Sequence, residues 1–174
     1  NNGVRTKQLT MIKKIAFSVA LLCSLLLHAA ELKYENQIYD NRVKTVMLTK
    51  AGTEDRYPII ALNSNDQLAL SFDILGNKNE YFQYTLVHCD ANWNPTNLNS
   101  NEYLRGLTFD NINDFKYSTN TYVRYVHYNV LLPNENIKPI FAGNYLIKVY
   151  QNFDEEDLII TRRMMILNPA VSIE

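Results

Sequence analysis

The residues best suited to chemistry sit close together: His88, Cys89 and Asp90 in consecutive positions, with His127 further along. A thiol nucleophile needs an adjacent base and an accessible, electropositive setting. His88 and Cys89 are neighbours in a strand-like run, so their side chains point to opposite faces, which disfavours direct pairing. No nucleophile signature surrounds Cys89, and it reads as a buried packing thiol beside an ordinary histidine. A metal set of His88, Asp90 and His127 would need adjacent strands. The close-spaced Cys and His pairs of structural zinc sites are absent. Asp154 to Asp157 lacks the alternating ligands and glycine of a calcium loop and reads as a solvated acidic turn. The residues therefore predict no catalytic group, no cofactor and no metal.

The aromatic content says more. The chain carries 12 Tyr, 7 Phe and 1 Trp. Exposed Trp and Tyr on a β domain stack on sugars or anchor protein contacts. Tyr84, Tyr122, Tyr125 and Tyr145 fall in strand-like runs and are expected to pack inside with their hydroxyls at the rim. Trp93 lies in the turn Asn92-Trp93-Asn94-Pro95, and Tyr103 lies in a long irregular segment. Arg162 and Arg163 are adjacent in a strand and face opposite ways; one is expected in solvent and the other paired with a carboxylate such as Asp73.

These residues are positioned by short strands. Phe82, Tyr84 and Leu86 alternate with Gln83 and Thr85, and Leu68, Leu70, Phe72 and Ile74 alternate with Ala69, Ser71 and Asp73. Period-2 alternation is the mark of a strand with one face buried. Further strands are predicted at Arg42 to Lys50, Tyr57 to Leu62, Tyr122 to Leu132, Tyr145 to Gln151 and Leu158 to Leu167. Glu31 to Asn41 is a lead-in with an edge strand, and Val171 to Ile173 opens another strand. Gly76 to Asn79 reads as the turn of a hairpin joining the Leu68 and Phe82 strands. Ala91 to Thr119 has no sustained period, with one helical turn expected at Asn101 to Leu104. Its scattered apolar residues favour an ordered, functional excursion. About seven strands, with turns every 8–12 residues and no long helix, predict an all-β, immunoglobulin- or fibronectin-like β-sandwich.

The N-terminal part reads as an export signal. Residues 1–10 are an upstream extension and Met11 is the better start. Lys13 and Lys14 precede an apolar run from Ile15 to Leu27, and Ala29 and Ala30 offer a cleavage site. That run is short for a bilayer span and suits a signal peptide over 11–30. Cys23 lies inside it after Leu22, where lipid attachment wants a small residue. Cleavage leaves residues 31–174 as the domain, with Cys89 its only cysteine and no internal disulfide. Four of the 17 Lys and Arg and none of the 18 Asp and Glu lie in residues 1–30. The remainder carries 13 bases against 18 acids, a net −5. That balance excludes a nucleic-acid surface and a polybasic membrane patch.

Several short groups stand in a set order along the chain. They are His88-Cys89-Asp90, Asn92-Trp93-Asn94-Pro95, Tyr103-Leu104-Arg105-Gly106, Ser118, Asn120-Thr121, Tyr125 and His127-Tyr128. Leu132-Pro133-Asn134, Gly143-Asn144-Tyr145 and Arg162-Arg163-Met164-Met165-Ile166 follow. As a set, they resemble the N-terminal β domain of the plug protein family of the type IX secretion system of Bacteroidetes. Ala142 stands where Ser is expected before Gly143. The resemblance implies a non-enzymatic periplasmic protein that associates with the outer-membrane translocon barrel and closes its periplasmic mouth while the lateral exit is occupied. It also implies further chain beyond Glu174. The alternative is a carbohydrate-binding β-sandwich module of the same compartment. Partner contact is expected from Asn92, Trp93, Asn94, Pro95, Tyr103 and Leu104 in the excursion, because Trp and Tyr dominate interface hot spots.

Overall fold

A computed structural model of the protein describes residues 31–168. The expected signal peptide at 11–30, the extension at 1–10 and the strand opening at Val171 lie outside the described residues. In chain order the strands are β1 (Gln37–Ile38), β2 (Val43–Lys50), β3 (Ile59–Ala61), β4 (Leu68–Leu75) and β5 (Phe82–Cys89). A helical turn, Ser100–Tyr103, precedes β6 (Leu104–Gly106), β7 (Asp110–Asn111) and β8 (Asp114–Tyr117). The remainder are β9 (Tyr125–Leu132), β10 (Ile137–Pro139), β11 (Gly143–Gln151) and β12 (Asp154–Leu167).

Two sheets face each other. The larger runs β1-β12-β11-β5-β7, with β3 beside β12 in parallel. The smaller runs β2-β4-β9-β8, and β6 with β10 makes a two-stranded ribbon. The alternating apolar positions turn inward from both sheets. Leu68, Leu70 and Phe72 of β4 and Phe82, Tyr84 and Leu86 of β5 are fully buried. Phe72 stacks on Tyr128 at 5.3 Å between centroids, and Phe82 meets both edge-on across the interface. Each such pair contributes about 0.5–1.5 kcal/mol beyond its buried area. The fold is an all-β sandwich, as the alternation predicts.

The tyrosines reach the rim with their hydroxyls. Tyr145 donates to the Phe141 carbonyl at 2.9 Å, and Tyr84 accepts from Asn134 Nδ2 at 2.7 Å. Burial pushes the Tyr84 hydroxyl up to about 12. Tyr122 departs from this expectation. It lies in the loop before β9, fully exposed. Tyr125, where the strand begins, is half-buried.

Three further expectations are corrected. First, β4 and β5 do not form a hairpin. Both edges of β4 are taken, by β2 and β9, while β5 pairs with β11 and β7. The Gly76–Asn79 segment crosses between the sheets, so the apolar faces of β4 and β5 meet across the core. Alternation shows which face of a strand is buried, and it is silent on which strand lies alongside. Second, Asp154 to Asp157 is no turn. The reversal is the pair Asn152 and Phe153, both left-handed at φ 58° and 56°, which is the geometry of a two-residue hairpin. The acids belong to β12. Third, neither Arg162 nor Arg163 meets Asp73, which bonds His127 at 2.7 Å on the smaller sheet. Arg162 donates to the Gln37 and Thr161 carbonyls. Burial lowers its pKa.

The outward face of the larger sheet is also closed over. Gln83, Thr85, Leu146, Lys148, Tyr150 and Thr161 are all buried. Its polar members are bonded, as buried polar groups must be. Thr161 Oγ1 donates to the Glu35 carbonyl at 2.6 Å, and the Lys148 ammonium meets the Glu155 carboxylate.

Candidate interaction surface

The segment after β5 is a small, rigid hairpin. The Asp90 carboxylate accepts from the backbone N–H of Asn92 (2.8 Å) and of Asn94 (2.9 Å) and from Asn94 Nδ2 (3.2 Å). An Asp is well suited to this, since its short side chain replaces backbone partners in a turn. The Asn94 contacts lead in holding the Asp90 carboxyl below its ordinary range. Thr96 N–H closes onto the His88 carbonyl at 3.0 Å, Cys89 bridges Pro95, and Asn144 Nδ2 ties the Asp90 carbonyl to β11. Trp93 occupies the turn with a left-handed φ of 66°, uncommon for a bulky residue and costly by about 1–3 kcal/mol.

The Trp93 ring lies down on the sheet. The Arg163 guanidinium sits 4.4 Å from its centroid, a contact contributing about 0.5–1 kcal/mol or more where partly desolvated. Arg163 is itself held. Its Nε donates to the Tyr34 carbonyl at 2.7 Å, and its N–H to Asn36 Oδ1 at 2.8 Å. The lead-in segment, Arg163 and Trp93 thus form one layered arrangement. Trp93 is half-buried, while Asn92, Asn94 and Pro95 are exposed.

Two of the six expected contact residues are elsewhere. Tyr103 and Leu104 are core residues, 4% and 5% exposed. The helical turn carries Tyr103 back over β5, where its hydroxyl donates to the Leu86 carbonyl at 3.2 Å. Neither residue offers a surface to a partner. The sequence reading also missed Arg163 and Tyr34 as supports of Trp93. No local pattern marks them, because the contacts join positions 129 and 70 residues apart.

The suspected chemistry is dispersed. His88 points inward between Tyr103 and Tyr145, at 5.6 and 5.0 Å. Its Nδ1 meets Thr96 Oγ1 at 3.0 Å. Burial lowers its pKa, and the Ala142 backbone opposes that only in part. Gly143 fits against it where a Cβ would come within 2.9 Å of Nε2. Cys89 points the other way and is 2% exposed. Burial pushes its thiol up to about 11, which opposes thiolate formation. His127 is on the other sheet, paired with Asp73. Among the described residues no three His, Cys, Asp or Glu side chains are placed to hold a metal ion. No helix among them is long and apolar enough to cross a membrane.

Comparison with known proteins places this arrangement in a family. No curated protein matches. A crystal structure of a hypothetical protein from Parabacteroides merdae is similar, with a TM-score of 0.76 and 32% sequence identity over 80% of this chain. The chain spans 35% of that protein's length. Residues 43–168 match the family described as Type 9 secretion system plug protein 1st domain. That span runs from the first residue of β2 to just past the end of β12, so the match is to nearly the whole sandwich, and the chain belongs to the type IX secretion plug family.

Proposed function

We propose that this chain is a non-enzymatic periplasmic plug domain, which binds the outer-membrane translocon of the type IX system and closes its periplasmic opening. The observation that carries the reading is the family match across residues 43–168. The expected signal peptide at 11–30 supports the compartment. The Asp90–Thr96 hairpin is the proposed contact, with Asn92, Asn94 and Pro95 as its polar rim and the Trp93 ring as its anchor. Bonds from Asp90, Asn144 and Arg163 preorganise this loop, which lowers the ordering cost of binding. Tyr103 and Leu104 support it from within the core.

A carbohydrate module would need an open aromatic face with convergent polar groups. Here Arg163 covers one face of Trp93, while the Asn94 and Asn144 amides are both taken up by Asp90, at its carboxylate and its carbonyl. The test is co-elution of the signal-free chain with the detergent-solubilised translocon barrel, with a glycan array alongside. The expected result is co-elution, weakened by about 2 kcal/mol in Trp93→Ala with a modest fall in melting temperature. Glycan binding without co-elution would contradict the plug reading.

A further inference from the structure

The other end of β5 holds a second aromatic feature. Phe153 at the β11–β12 reversal and Phe109 in the loop between β6 and β7 pack edge-to-face, 6.4 Å apart. Both are exposed, Phe153 at 66% and Phe109 at 42%. Phe153 holds its left-handed φ at a turn position that favours Gly or Asn.

β5 fixes both rings from below. Gln83, fully buried, accepts the Phe153 N–H at Oε1 (2.9 Å) and donates from Nε2 to Asn111 Oδ1 (3.0 Å). Thr85 Oγ1 donates to the Thr108 carbonyl at 2.6 Å, beside Phe109. A strained backbone persists only where its surroundings over-determine it, and such strain collects at functional positions. Here the interior amide fixes the Phe153 turn at one end and β7 at the other, while Thr85 holds the residue before Phe109.

The charge around the rings selects the occupant. Asp154, Glu155 and Glu156 flank Phe153 and are exposed. Lys148 of β11 is buried and engages Glu155, which leaves Asp154 and Glu156 to set the sign of the rim. An acidic rim repels anionic lipid headgroups and a second copy of the same rim, and it favours a cationic partner.

We propose that the Phe109–Phe153 pair is a docking site for a protein segment whose apolar side chains are flanked by Lys or Arg. The proposal is independent of where the translocon binds. The test uses the signal-free chain and a short synthetic peptide with a leucine-rich centre flanked by lysines. A counterpart carries glutamates at the flanks. Anisotropy titration should show the lysine peptide binding at least about tenfold tighter than the glutamate one, and weakening as salt rises. Phe153→Gly should lower that affinity at least about tenfold while leaving the melting temperature equal or higher, since Gly accepts the left-handed backbone. Absent or flank-independent binding would overturn the proposal, as would full binding by Phe153→Gly. So would sedimentation showing a dimer that Phe153→Gly dissolves, or binding to anionic vesicles through the same rings.

Discussion

The two ends of β5 treat the same problem in opposite ways. Each carries an aromatic residue in a left-handed turn, Trp93 at φ 66° and Phe153 at φ 56°. At the Trp93 end the ring is received by the Arg163 guanidinium, and Cys89 and Tyr103 at that end of the sheet are buried. At the Phe153 end, among the described residues, no other ring or cation stacks on Phe109 and Phe153. Backbone strain is therefore shared by both ends, and what differs is where the side chain goes once the turn is made. Residue type does not decide this. At one end a cation from a distant strand stacks on the ring; at the other the neighbouring cation, Lys148, is engaged by Glu155 and Phe153 stays exposed.

Substitution separates the ends. The largest effect is expected inside the hairpin end. Tyr103→Ala removes a buried ring and its bond to the Leu86 carbonyl, and should cost about 3–5 kcal/mol in chemical denaturation. A loss below about 1 kcal/mol would mean that Tyr103 is not the core support described.

A second effect depends on pH and also belongs to the hairpin end. Burial lowers the pKa of His88 in the folded state, so the unfolded chain binds the proton more readily. Stability should be level above the ordinary imidazole value of 6.5 and fall as pH drops from there towards the lowered folded value. His88→Gln should remove that portion of the slope. An unchanged slope in urea melts across this window would show that His88 is not titrating from a buried neutral state.

The smallest effect is expected at the open end, with the opposite sign. Phe153→Gly should stabilise by up to about 1 kcal/mol or leave stability unchanged, because little packing is lost and strain is relieved. A loss of 2 kcal/mol or more, about the cost of uncovering a buried ring, would place Phe153 in the packing of the sheet and collapse the contrast between the ends.

The parts of this picture that were legible in the sequence are those dictated by burial of one face. The alternation in β4 and β5 gave the inward residues directly, since period 2 is a geometric property of a strand. Cys89 as a buried thiol was legible from a different signal: it is the only cysteine of residues 31–174, and an unpaired thiol is usually a buried one. Strand partnership was not legible, and β4 crosses to the opposite sheet from β5 because neighbours are chosen by long-range closure. Tyr103 was misplaced because one helical turn rotated it inward, which no local polarity signals. Phe153 was hidden because the usual glycine of a tight hairpin is missing and the acids beside it imitate a turn. The family resemblance drew on many dispersed positions at once, and so survived these local errors.

The central proposal is that the Trp93 end, and not the Phe153 end, meets the translocon. Hydrogen–deuterium exchange of the signal-free chain, alone and bound to the solubilised translocon barrel, tests both halves together. The account predicts added protection across Asp90 to Thr96 on binding and none at Asn152 to Asp154. Protection at Asn152 to Asp154 with Asp90 to Thr96 unchanged would contradict it.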